Sequence, residues 1–95
     1  MSKRDDYVKK LQTKLDEWNA DIDKLEARAK EVSADARKAY DRKLAELRAK
    51  RDDAGARLQS LREASEAAWQ ELRAGMELAW EALSEGIQSA KSQFK

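Results

Sequence analysis

Cysteine and histidine are both missing from the 95-residue chain. That removes disulfides and thiolate nucleophiles, and with them the side chain that most often serves as a general base near neutral pH. It also removes most zinc and haem ligation, so no cofactor is expected. Proline is absent and only three glycines occur, all isolated, so no glycine-rich phosphate loop can form. Aromatic residues make up 6% of the chain, a composition poor in strand formers and in turn formers alike. No apolar run approaches the ~20 residues that a membrane-spanning helix needs. The opening MSKRDDYVKK lacks the apolar stretch of a secretory signal, so a cytoplasmic location is the expectation.

What remains is a helical composition. Charged residues make up 41%, and Glu, Lys, Arg, Ala, Leu and Gln, which lose little entropy on entering a helix, dominate the chain. The overall charge is +1, which gives no general field for a polyanion. Its distribution is uneven. Residues 37–62 hold 9 basic and 4 acidic side chains, a balance of +5, whereas residues 63–90 hold 1 basic and 6 acidic, a balance of −5. Such segments attract each other or each other's copies. The acids Asp41, Glu46, Asp52 and Asp53 interrupt the basic segment and no nucleic-acid motif accompanies it, so nucleic acid is not the expected partner.

Apolar or small residues recur in steps of three and four: Val8, Leu11, Leu15, Trp18, Ile22, Leu25, Ala29, Val32, Ala36, Tyr40, Leu44 and Leu47, then Ala54, Leu58, Leu61, Trp69, Leu72, Met76, Trp80, Leu83, Ile87, Ala90 and Phe94. With Arg51 and Ser65 bridging the gaps, 86 residues pass in 24 steps, about 3.6 per step, the α-helical period. Residues 8–36 read as a coiled-coil heptad seam, and residues 32–44 as a stutter of three successive steps of four. From residue 58 to 95 an eleven-residue repeat is legible as LQSLREASEAA (58–68), WQELRAGMELA (69–79), WEALSEGIQSA (80–90) and KSQFK. Eleven residues in three turns predict a nearly straight or slightly right-handed helix. Gly75 with Ala79 and Gly86 with Ala90 thin one flank of it, where a neighbouring backbone has room to approach.

The pattern predicts an all-α protein, one helical unit over residues 1–95, built as a long amphipathic helix or a helical hairpin that completes a coiled coil or bundle by homo-oligomerisation. Asp52-Asp53-Ala54-Gly55 interrupts the stripe and makes 51–56 the expected hinge, while Ser33 and Ser65 are candidate caps with no helix breaker before them. Charge pairs four apart (Asp5 with Lys9, Asp6 with Lys10, Glu26 with Lys30, Glu46 with Lys50, Asp53 with Arg57) favour continuity. An unbroken helix would run ~140 Å and could not cover its own stripe. An antiparallel register sets Trp18 beside Trp80, Leu15 beside Leu83, Ile22 beside Met76 and Ala29 beside Trp69. It fits either a hairpin or two rods head to tail.

The seam is therefore the candidate functional surface: Val8, Leu11, Leu15, Trp18, Ile22, Leu25, Val32, Tyr40, Leu44, Leu47, Leu58, Leu61, Trp69, Leu72, Met76, Trp80, Leu83 and Ile87. Trp18, Trp69 and Trp80 are its largest knobs, each able to bury ~150–250 Å². The expected partner is a second copy, in a dimer or tetramer, or another helical protein. A reversible lipid-surface-binding or stress-protectant amphipathic helix is the alternative, with Trp69 and Trp80 at the lipid interface, although the acidic balance of that segment opposes anionic lipid. Asp16, Glu17, Asp21 and Asp23 cluster within two turns but beside the stripe, where solvent leaves carboxylates ionised and unsuited to acid catalysis at neutral pH. No small-molecule substrate and no enzymatic activity are expected.

The segments DEWNADIDKLEARAK (16–30), KLAELRAKRDDA (43–54) and AWQELRAGMELAWEAL (68–83) resemble the small bacterial coiled-coil proteins of about this length, some of them stress-induced. That resemblance covers nearly the whole chain and implies the helical fold and an association with stress. It carries over no site residues.

Overall fold

A computed structural model describes residues 3–93 and consists of three helices: α1 (Lys3–Ala29), α2 (Ala34–Glu63) and α3 (Glu66–Gln93). The all-α bundle expected from the sequence is present, and no strand occurs among the described residues. Phe94 and Lys95, which close the eleven-residue pattern, lie outside them.

The chain reverses at the two serines and not at the aspartate-glycine segment. Ser33 has extended backbone angles (φ −61°, ψ 159°), and its Oγ accepts the Ala36 N–H at 3.4 Å. In the second turn Ala64 is extended (ψ 150°) and Ser65 Oγ accepts the Ala68 N–H at 3.2 Å. Each serine thus satisfies an amide that the new helix leaves without an intrahelical partner. Neither turn needs a glycine, and no described residue has positive φ. Residues 51–56, the expected hinge, run unbroken through the middle of α2. Asp53–Arg57, one of the i,i+4 pairs that favoured continuity, does form across Gly55, at 3.1 Å. Glu26 and Glu46 choose other partners, Arg48 on α2 and Lys43 one turn back.

Relocating the turns explains both irregularities of the periodic pattern. The stutter at 32–44 is the α1–α2 connection, where the phase shifts because the chain leaves one helix and starts another. The first eleven-residue copy, 58–68, is broken by the turn at Ala64 and Ser65, so it does not form one straight rod with the next two. Inside each helix a 4-3 heptad alternation holds: Val8 to Ala29 in α1, Tyr40-Leu44-Leu47-Arg51-Ala54-Leu58-Leu61 in α2, and Trp69-Arg73-Met76-Trp80-Leu83-Ile87-Ala90 in α3. Leu72 is off this seam and is 41% exposed. Arg73 takes the position that a 4-3 count assigns.

Helix order is up, down, up. Tyr7 packs on Trp69 with ring centroids 6.2 Å apart, and Trp18 on Trp80 at 4.4 Å. The offset in both pairs is 62 residues, from 7 to 69 and from 18 to 80, which only parallel α1 and α3 allow. The antiparallel register is therefore overturned. It places Trp18 beside Trp80 correctly, but Trp69 meets Tyr7 and not Ala29. Between them α2 runs antiparallel to both: Glu26 pairs with Arg48, Gln12 accepts from Arg62 at 2.8 Å, and the Tyr40 hydroxyl donates to the Gln93 carbonyl at 3.3 Å. The folded body measures 50 × 19 × 18 Å, far short of the ~140 Å rod.

Candidate interaction surface

Most of the seam is used up inside the chain. Val8, Leu11, Leu15, Trp18, Ile22 and Leu25 of α1, Leu44, Leu47, Leu58 and Leu61 of α2, and Trp69, Met76, Leu83 and Ile87 of α3 are all buried in one continuous core. Tyr40 and Trp80 are partly buried against it, and Val32 sits half-exposed in the first turn. Folding thus covers within a single copy nearly all of the surface that the periodicity marked for a partner.

Two charged residues occupy seam positions. Arg51 turns outward to Asp52, at 3.2 Å, and lines an open cleft with Leu15, Asn19, Asp23 and Gly55. Arg73 lays its guanidinium 5.1 Å from the Tyr7 ring centre and 5.9 Å from that of Trp69, and pairs with Glu77 at 3.1 Å. Its aliphatic stem and flat head thereby cap the aromatic end of the core while the charge stays wet. Burial raises the Tyr7 phenol above its ordinary pKa of 10.0, and the Glu77 carboxylate pushes the same way, with Arg73 opposing in part. Periodicity treats Arg73 as a polar neighbour of Leu72; only the 4-3 count within α3 reveals its place.

The thinned flank of α3 is functional packing space. A Cβ on Gly86 would lie 2.9 Å from Leu47 Cδ2, and one on Gly75 would lie 2.8 Å from the Arg57 guanidinium. α2 is the neighbour that uses this room, and the Lys50 stem crosses Gly86 as well, its Cδ 3.6 Å from that Cβ position.

Surface chemistry is otherwise plain. Among the described residues no three His, Cys, Asp or Glu side chains converge as a metal site, and no helix is long and apolar enough to cross a membrane. The acidic cluster of α1 is dispersed: Asp16 accepts from Gln12, Glu17 pairs with Lys14, and Asp21 pairs with Lys91 of α3 at 3.2 Å. A shallow cleft of about 370 Å³ beside that last pair is lined by Asp21, Lys24, Leu25, Arg28 and Lys91.

The outer face of α3 is different. Leu78 is 71% exposed and stands on a strip with Ala74, Ala82, Glu71, Glu81 and Glu85, all exposed. No ion pair among the described residues joins α2 to α3. Glu26–Arg48 and Asp21–Lys91 instead tie α1 to its neighbours. Leu78 was missed by the periodic reading because it falls between seam positions. Its one signal is a leucine off the stripe in a segment otherwise acidic. Comparisons with family models, curated proteins and solved structures return no match.

Proposed function

We propose that this chain is a non-catalytic interaction protein, a small three-helix bundle that acts as a scaffold or adaptor through its outer helix faces. The observation that carries this reading is Leu78. Among the described residues most large apolar side chains are buried and Leu72 is 41% exposed, whereas Leu78 is 71% exposed on a ridge edged by glutamates. Contiguous apolar surface rimmed by charge marks protein-binding patches, and Ala74 and Ala82 extend the apolar surface of Leu78 along the same exposed face. The bacterial, stress-induced setting implied by the sequence resemblance belongs to the same proposal, as does a cytoplasmic location.

Self-association, if it follows the heptad seams, would require the bundle to open; association through the outer faces does not. Lipid binding faces the same obstacle, because Trp69 and Trp80 are engaged with Tyr7 and Trp18 in the closed bundle. A photo-reactive amino acid placed at Leu78 in living cells tests the reading, with Thr13 on the outer side of α1 as the control position. A covalent protein adduct at 78 and none at 13 is the expected result. No adduct at 78, or adducts with lipid alone, would overturn it.

A further inference from the structure

The outer strip of α3 has a complement on the same molecule. α2 carries exposed Lys38, Arg42, Ala45 and Ala49 on its outward side, and among the described residues neither Lys38 nor Arg42 is engaged in an ion pair. Read in opposite directions, Ala74-Leu78-Glu81-Glu85 and Ala49-Ala45-Arg42-Lys38 share the spacing 4-3-4. We propose that α3 of one copy docks antiparallel on α2 of a second copy, with Leu78 over Ala45, Glu81 against Arg42 and Glu85 against Lys38. This rests on the interaction reading above and names its partner as the chain itself.

Spacings of three and four place each set along one face of its helix, so two straight helices can align them residue by residue. Alanines at 45 and 49 leave the hollow that Leu78 needs. The two faces cannot meet within one copy, because both point away from the core. On the facing strips Glu71 falls opposite Asp52, a like-charge pairing, and Arg51 already binds that aspartate at 3.2 Å. Because the contact joins two different surfaces, it closes into a ring or extends as a chain of copies. The strip from Glu71 to Glu85 is only about 21 Å long, so the buried area lies below the ~800 Å² per partner of a standard interface and the association is weak.

Sedimentation equilibrium on the intact chain up to about 1 mM tests this, at about 0.01 M and about 1 M salt, where charges are screened over roughly 30 Å and 3 Å. The wild type should associate at low salt and roughly tenfold more weakly at high salt, the scale that a few exposed ion pairs supply together. Glu81→Lys with Glu85→Lys, and separately Lys38→Glu with Arg42→Glu, should each give monomers with unchanged helicity, and their equimolar mixture should regain mass. Leu78→Asp should also be monomeric. A wild type that stays monomeric at low salt, charge-swapped variants that associate as well as the wild type, or a mixture that remains monomeric overturns the docking. The photo-crosslinking result separates the two levels: an adduct at Leu78 with a different protein keeps the interaction reading and sinks self-docking.

Discussion

Replacing the glycines with alanine should stabilise the bundle at Gly55 and Gly75 and destabilise it at Gly86, because the room around each new Cβ differs. All three sit inside helices and none has positive φ, so alanine is conformationally free to replace each. Helix propensity alone favours the change by about 1 kcal/mol. At Gly55 the new Cβ would lie 3.9 Å from Leu15 Cδ2, ordinary contact, so Gly55→Ala stabilises by about 0.5–1 kcal/mol and raises Tm by roughly 2–8 °C. At Gly75 the neighbour at 2.8 Å is the free end of the half-exposed Arg57 side chain, which swings aside, so the gain largely survives. At Gly86 the neighbour at 2.9 Å is a methyl of Leu47, which is fully buried and cannot retreat. Overpacking of about 1–3 kcal/mol outweighs the propensity gain, for a net loss of up to about 2 kcal/mol. Urea unfolding followed by circular dichroism gives all three values. A Gly55→Ala variant less stable than wild type would refute the reasoning, because that is what a turn at residue 55 requires.

Leu47→Ala and Leu83→Ala, both at positions with no exposed surface, should each cost about 2–5 kcal/mol in denaturant unfolding, a large part of the stability of a domain this size. Ser33→Ala and Ser65→Ala should each cost about 1 kcal/mol and, being far apart, add in the double variant; thermal melts suffice to check this. Tyr7 keeps its proton longer in the folded state than in the unfolded chain, so its contribution is intact below pH 10.0 and is lost as pH climbs toward the raised folded value. Tyr7→Phe should therefore lose less stability than wild type between neutral pH and pH 11, measured by urea midpoints; equal losses would contradict the shift.

Helix content and the identity of the core were legible because a 3-and-4 spacing of apolar residues says which side chains share a face, whatever they pack against. Fourteen of the eighteen seam residues named from spacing are buried, and the four others (Val32, Tyr40, Leu72, Trp80) lie at the first turn or along the margins of the core. Helix number was not legible. Serine is favoured at helix caps but also occurs inside helices, as Ser60, Ser84 and Ser89 do here, and nothing before Ser33 or Ser65 breaks a helix, whereas Asp52 to Gly55 carries turn-forming residues that neighbouring helical hydrogen bonds override. Once the turns are misplaced, a loop looks like a stutter and a helix end looks like part of an eleven-residue repeat. Parallel α1 and α3 were hidden for another reason: a periodic stripe matches itself in many registers, and Tyr7, which fixes the true one with Trp69, lies one residue off the seam.

Small-angle X-ray scattering of a dilute sample at high salt asks most directly whether one copy covers its own apolar stripe. A closed three-helix bundle gives a radius of gyration near 15.3 Å and a longest dimension near 50 Å. A longest dimension near ~140 Å, the length of the unbroken helix, or about half of that with the mass of two chains, would contradict it.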